Sequence, residues 1–155
     1  MTRLEDFIKP PLAVVCHDAG AANLIVEWLK DYTGDLRVCM EGPAKIIWEK
    51  HFPGGKLISI NRVIKDSKTL LSGTGWGDLE YSARILAKKR SIKNIAVIDH
   101  WTNYRERFIR DGNEELPDVI IVSDNYAYRL AKNFPPSTLV IELPNNYLQA
   151  EAKLA

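Results

Sequence analysis

The chain has 155 residues, with 21 Lys+Arg against 20 Asp+Glu, a formal net charge of +1. That length suits one domain able to bury a core without metal or disulfide staples. Apolar residues at 46% and charged residues at 26% exclude disordered, collagen-like and disulfide-scaffold classes, and the balanced charge excludes a strong pull toward nucleic acid or anionic lipid.

The first eleven residues (MTRLEDFIKPP) carry acids and lack the apolar stretch of a signal peptide. No run approaches the ~18 apolar residues of a membrane helix, so the reading is a cytoplasmic protein without a membrane span. Short, continuously apolar, β-branched runs then recur: 12–16 (LAVVC), 36–40 (LRVCM), 57–60 (LISI), 69–71, 95–98 (IAVI), 119–122 (VIIV) and 139–141 (LVI). Runs apolar on both faces mark strands buried on both sides, as in a parallel sheet. Cys16 and Cys39 lie inside two of them and read as buried structural thiols, outside any zinc or redox pattern.

Helical spacing fills the intervals at 21–30, 44–50, 78–89 and 125–133. In the third, Leu79, Ala83, Leu86 and Ala87 form the apolar stripe and Arg84, Lys88 and Lys89 the solvent side. Strands alternating with such helices predict a single α/β domain over 1–155, three-layered and doubly wound, with a mainly parallel sheet of about seven strands. Residues 101–117 form a long polar connection with room for one short helix.

In open α/β sheets, ligands bind beyond the carboxyl ends of the strands, and there the small, polar and aromatic residues collect. HDAGAAN follows the first strand: Gly20 permits close backbone approach and a helix start offers N–H groups, with Asn23 beyond; the alternative is a tight turn capped by Asp18. SGTGWGDLE enters the third helix with three glycines in five residues, so that Gly73, Thr74, Gly75 and Trp76 suit ligand contact; the alternative is that Asp78 only caps and Trp76 only packs, while Glu80 suits the helix dipole. DHWTNYRERF follows IAVI: Asp99 orients His100 for acid–base work, and Trp101, Tyr104 and Arg105 form a recognition platform, unless the aromatics only pin the loop. Asp124 ends the VIIV strand. Neither GxGxxG, GxxxxGK[ST] nor GxSxG occurs, which leaves dinucleotide, Walker-type and serine-elbow readings without their fingerprints.

The order HDAGAAN, SGTGWGDLE, IAVIDHW and PDVIIVSD, spread over residues 12–146, resembles the N-terminal Rossmann-like half of GT-B-type glycosyltransferases and the related UDP-N-acetylglucosamine 2-epimerases. The resemblance implies a Rossmann-like fold and a sugar or nucleotide-sugar ligand at the turns around Gly20 and Gly73–Gly75, as substrate rather than resident cofactor. It also implies a second domain, because a GT-B enzyme takes most donor-nucleotide contacts from one. The QAEAKLA ending reads as a helix begun and cut, so the expectation is a half-enzyme needing a partner chain, a piece of a longer protein, or a stand-alone domain with another job.

The leading expectation is a carbohydrate-pathway domain. If it is catalytic, His17, Asp18 and His100 are the acid–base candidates, and Gly20, Asn23, Gly73, Thr74, Gly75, Trp76, Glu80, Asp99, Trp101, Tyr104, Arg105 and Asp124 the ligand contacts. Two alternatives stand beside it. One is a non-catalytic binding or regulatory module. The other is a small metal-assisted hydrolase or phosphoryl-transfer enzyme using Asp18, Asp99 and Asp124. An edge strand or exposed helix leaves room for dimerisation.

Overall fold

A computed structural model describes residues 3–99 and 105–145. Within it the chain runs β1 (Leu12–Cys16), α1 (Ala19–Leu29), β2 (Leu36–Met40), α2 (Gly42–His51), α3 (Ile60–Ile64), β3 (Thr69–Ser72), α4 (Asp78–Lys89) and β4 (Lys93–Ile98). A two-residue hairpin, β5 (Ile109–Arg110) and β6 (Asn113–Glu114), precedes β7 (Val119–Val122), α5 (Asn125–Ala131) and β8 (Leu139–Glu142). Six strands form one sheet in the order β2-β1-β3-β4-β7-β8, every pair parallel. This is a three-layer, doubly wound, Rossmann-like α/β fold.

The double winding follows from the order. A strand–helix–strand crossover is right-handed, so reversing the direction of travel across the sheet moves the helix to the other face. The chain steps outward from β1 to β2 with α1, then returns past β1 to β3 and continues away. Leu12, Val14 and Cys16 accordingly pack with α1 and α2, while Ala13 and Val15 pack with α3 and α4. All five β1 residues are buried, the burial on both faces that the unbroken LAVVC run predicts. On the α1 face, Trp28 reaches the segment after edge strand β8, donating from Nε1 to the Pro144 carbonyl at 2.9 Å.

Three expectations need correction. The LISI run is not a strand: Leu57 makes one isolated parallel bridge to Val38, and Ile60 already opens α3 with Ser59 as its N-cap. The turn at Gly54–Gly55 and the helix start leave too few extended residues to pair, and Leu57, Ile58 and Ile60, half-buried, pack against the edges of the two core clusters instead. Asp78 is the first residue of α4 rather than its cap, which is Gly77. Arg84, expected on the solvent side of α4, is 1% exposed, for a reason that lies in the loop before the helix.

The part of the long connection that the structure describes holds a 3₁₀ turn (Glu106–Phe108) and the β5–β6 hairpin. Phe108 anchors it in the core, edge-on to Phe134 with ring centroids 5.9 Å apart. Among the described residues, no helix is long and apolar enough to cross a membrane.

Ile121 lies fully buried on β7, between β4 and β8. Ile121→Ala is expected to cost about 2–5 kcal/mol and, at roughly 2–4 °C per kcal/mol for a chain of this size, to lower the melting temperature by on the order of ten degrees. Calorimetry checks this.

Candidate functional site

Strand order reverses between β1 and β3, and their following helices leave on opposite faces of the sheet. That divergence opens a crevice beyond the carboxyl ends of the two strands, the usual ligand position in such sheets. Three loops meet there: His17–Asp18 after β1, Glu41–Gly42 after β2 and Gly73–Gly77 after β3. The β2 loop is laced to the β1 loop by backbone bonds from Glu41 N–H to the Cys16 carbonyl (3.2 Å) and from Ala44 N–H to the His17 carbonyl (2.9 Å).

Asp18 occupies the N-cap of α1 in extended geometry, yet its side chain makes no capping bond. Its Oδ1 instead accepts from His17 Nδ1 at 2.7 Å, and both side chains remain 40% exposed. The bond raises the His17 pKa above its ordinary value, more than partial burial lowers it, and the charges of Asp18, Glu80 and Glu41 add in the same direction. The result is an imidazole–carboxylate pair, open to solvent, whose cationic form is favoured.

Close packing explains the glycines. A Cβ on Gly20 would land on the Asp99 carboxylate; one on Gly73 would strike Glu80 Oε2 and crowd Ala21 and Cys16; one on Gly75 would strike the carboxylates of Asp18 and Glu80. Glu80, 1% exposed, accepts from Gly75 N–H at 2.9 Å through Oε1. Burial raises its pKa, while the Gly75 amide, Arg84 and the His17 amide partly counter that shift. Burial also pushes the Cys16 thiol well above its usual range, helped by Glu80, Asp99 and Asp18, so Cys16 is an inert wall of the crevice.

The other side of the Gly73–Gly77 loop is held by arginines. Arg84 donates from Nη1 to the Gly73 carbonyl (2.8 Å) and Ser72 Oγ (3.3 Å), Arg107 to the Thr74 carbonyl (2.7 Å), and Arg110 to those of Trp76 and Gly77 (3.3 Å each). Loop carbonyls needing donors draw Arg84 inward, and burial lowers its pKa to about 10. Thr74 is buried and donates to the Val97 carbonyl at 2.9 Å, tying the loop to β4. Trp76 stays 54% exposed, with the Arg107 guanidinium 5.2 Å from its ring centroid.

Of the residues singled out by sequence, the structure therefore gathers His17, Asp18, Gly20, Gly73, Thr74, Gly75, Trp76, Glu80 and Asp99 around one crevice. Asn23 sits half-buried in the second turn of α1 and Asp124 half-buried after β7. Arg105 turns away, pairing through Nε and Nη2 with Glu114 of the hairpin at 2.7 and 2.9 Å. His100, Trp101 and Tyr104 lie outside the described residues. Among the described residues, no three His, Cys, Asp or Glu side chains stand close enough to hold a metal ion, so Asp18, Asp99 and Asp124 do not form a carboxylate cluster. Sequence reasoning passes over Gly42, whose φ is +58°, and the three arginines; an Arg one turn after a Glu at the start of a helix behind a glycine-rich loop is the available signal.

Fold and site together define a doubly wound α/β domain with an acidic crevice at its strand-order switch point. No family model, curated protein or solved structure matches the chain.

The charges of the crevice make its behaviour with pH testable. Glu80 has a raised folded-state pKa, so its contribution is fully present below the unfolded carboxyl value of about 4.3 and is lost as pH rises through the folded one. Glu80→Gln keeps the acceptor for Gly75 without the charge; its melting temperature should gain on the wild type as pH rises from acid to neutral, whereas a variant that falls behind contradicts the assignment. Asp18→Asn removes the chief cause of the raised His17 pKa, so the ring should titrate lower, nearer the ordinary value of about 6.5. Histidine NMR resolves this, and it should also show the His17 contribution to stability lost at lower pH than in the wild type.

Proposed function

We propose that this chain is a carbohydrate-pathway domain that binds a sugar or nucleotide-sugar in the switch-point crevice, with the GT-B-type glycosyltransferases and sugar epimerases as its functional analogues. The observation that carries this reading is the polarity of the crevice. Carboxylates from three elements (Asp18, Glu80, Asp99) converge on the glycines of the two loops, with the exposed His17–Asp18 pair among them. A carboxylate only accepts hydrogen bonds, so the exposed Asp18, backed by buried Glu80, suits a ligand rich in hydroxyl donors and repels a bare phosphate. Trp76 offers an apolar face of the kind on which sugar rings and bases rest.

In this reading His17 and Asp18 supply acid–base chemistry, with His100 as a further candidate, and the uridine part of a nucleotide-sugar takes its remaining contacts from a partner chain or second domain. A purely binding role explains the crevice equally but leaves unused a solvent-open imidazole whose proton is held by a carboxylate.

The test is a thermal-shift series with UDP-N-acetylglucosamine, N-acetylglucosamine, UDP and inorganic phosphate. Ligand at ~100 times Kd adds about 2.7 kcal/mol, worth roughly 5–10 °C here. The sugar-bearing ligands should shift the wild type and shift Asp18→Asn less. A shift with phosphate alone, or an undiminished shift in the variant, refutes the proposal.

A further inference from the structure

We infer that Nε2 of His17 is the ring nitrogen presented to the crevice ligand and that Gly42, at the start of α2, is the positioning residue that leaves it uncovered. The orientation of the ring is set on one side: Nδ1 is committed to Asp18 at 2.7 Å, and among the described residues nothing bonds Nε2. On the other side stands Gly42. A Cβ there would sit 2.7 Å from Nε2 and 2.9 Å from Cε1, closer than carbon atoms approach an imidazole without one of them moving. The loop backbone cannot retreat, because Glu41 N–H and Ala44 N–H, on either side of Gly42, are bonded to the carbonyls of Cys16 and His17. A side chain at this position therefore displaces the ring or caps its free nitrogen.

The loop after β2 thus belongs to the site, although no titratable group of its own touches a ligand. Backbone geometry selects glycine at the same place, since φ is +58°. Steric and conformational demands coincide, and the experiment must separate them. Gly54 provides the means: its φ is +78°, and nothing lies within 4 Å of where its Cβ would stand. Gly54→Ala carries the backbone strain without touching His17. Gly42→Asn carries the Cβ with less strain, because Asn tolerates the left-handed region.

The role of Gly42 builds on the crevice reading above, but it can be tested with no ligand. Full-length wild type, Gly42→Ala, Gly42→Asn and Gly54→Ala are treated with diethyl pyrocarbonate, and modification of His17 is followed by peptide mass spectrometry. Rates are corrected to the neutral ring with NMR titration curves, and exposed His51 serves as internal reference. His17 should label readily in the wild type and in Gly54→Ala. In both Gly42 variants it should label about tenfold more slowly, a factor equivalent to roughly 1.4 kcal/mol. Unchanged labelling in a folded Gly42 variant overturns the inference. So does a wild-type His17 that resists labelling while His51 reacts, a result that needs no variant to fold. In a parallel arm, UDP-N-acetylglucosamine that shifts wild-type melting should protect His17 from labelling. A shift without protection overturns the ligand-facing role of Nε2. Failure to shift the wild type at all counts against the crevice's proposed ligand, while the labelling rates still decide the role of Gly42.

Discussion

A carboxylate buried beneath the glycine-rich loop organises this molecule. Glu80 stands in the first turn of α4, loses nearly all contact with water and holds the Gly75 amide. Arg84, one turn later on the same inner face, grips the Gly73 carbonyl. The helix thus reaches back and holds its own leading loop at both poles, N–H by the anion and C=O by the cation. Both ions suffer from desolvation, Glu80 rising and Arg84 falling in pKa, and each eases the shift of the other. Single removal of either would leave its partner charged and buried, the costly half of such pairs. Because α4 also packs on β1, β3 and β4, the loop is tied to the sheet through its own helix.

The parts of this arrangement differ in how plainly the sequence announces them. LAVVC, IAVI and VIIV are apolar at every position, and only strands covered on both faces need that, so the parallel sheet and its layers are legible. LISI breaks that pattern at Ser59, which is exposed and sits at the N-cap of α3, and its three apolar residues are only half-buried, so the run is too short and too interrupted to pair as a strand. Arg84 is the sharper case. It shares an i, i+4 stripe with Lys88, which is exposed, and equally with Glu80, which is buried. Which neighbour it follows is decided by loop carbonyls that need donors, a demand absent from helical periodicity. The glycines of SGTGWGD are conspicuous as glycines, but at Gly73 and Gly75 the space a side chain would take is filled by the protein's own carboxylates, with Gly75 opening on the crevice beside Asp18.

Around the loop the charges are sorted. Arg84, Arg107 and Arg110 all bond its carbonyls from the side of the Phe108 anchor, while Asp18, Glu80 and Asp99 crowd the side facing α1. Each arginine that takes a carbonyl is withdrawn from the crevice. His17 stays in the open, a cation whose charge depends on pH. When the ring is protonated, both nitrogens are donors, one spent on Asp18 and one free; when it is neutral with the proton on Nδ1, Nε2 becomes an acceptor. The same atom can therefore donate to a leaving oxygen or accept from a hydroxyl, and the Asp18 bond holds the tautomer that makes the second role available. In the proposed carbohydrate role, the exposed Asp18 carboxylate accepts from ligand hydroxyls and this convertible nitrogen beside it moves the proton.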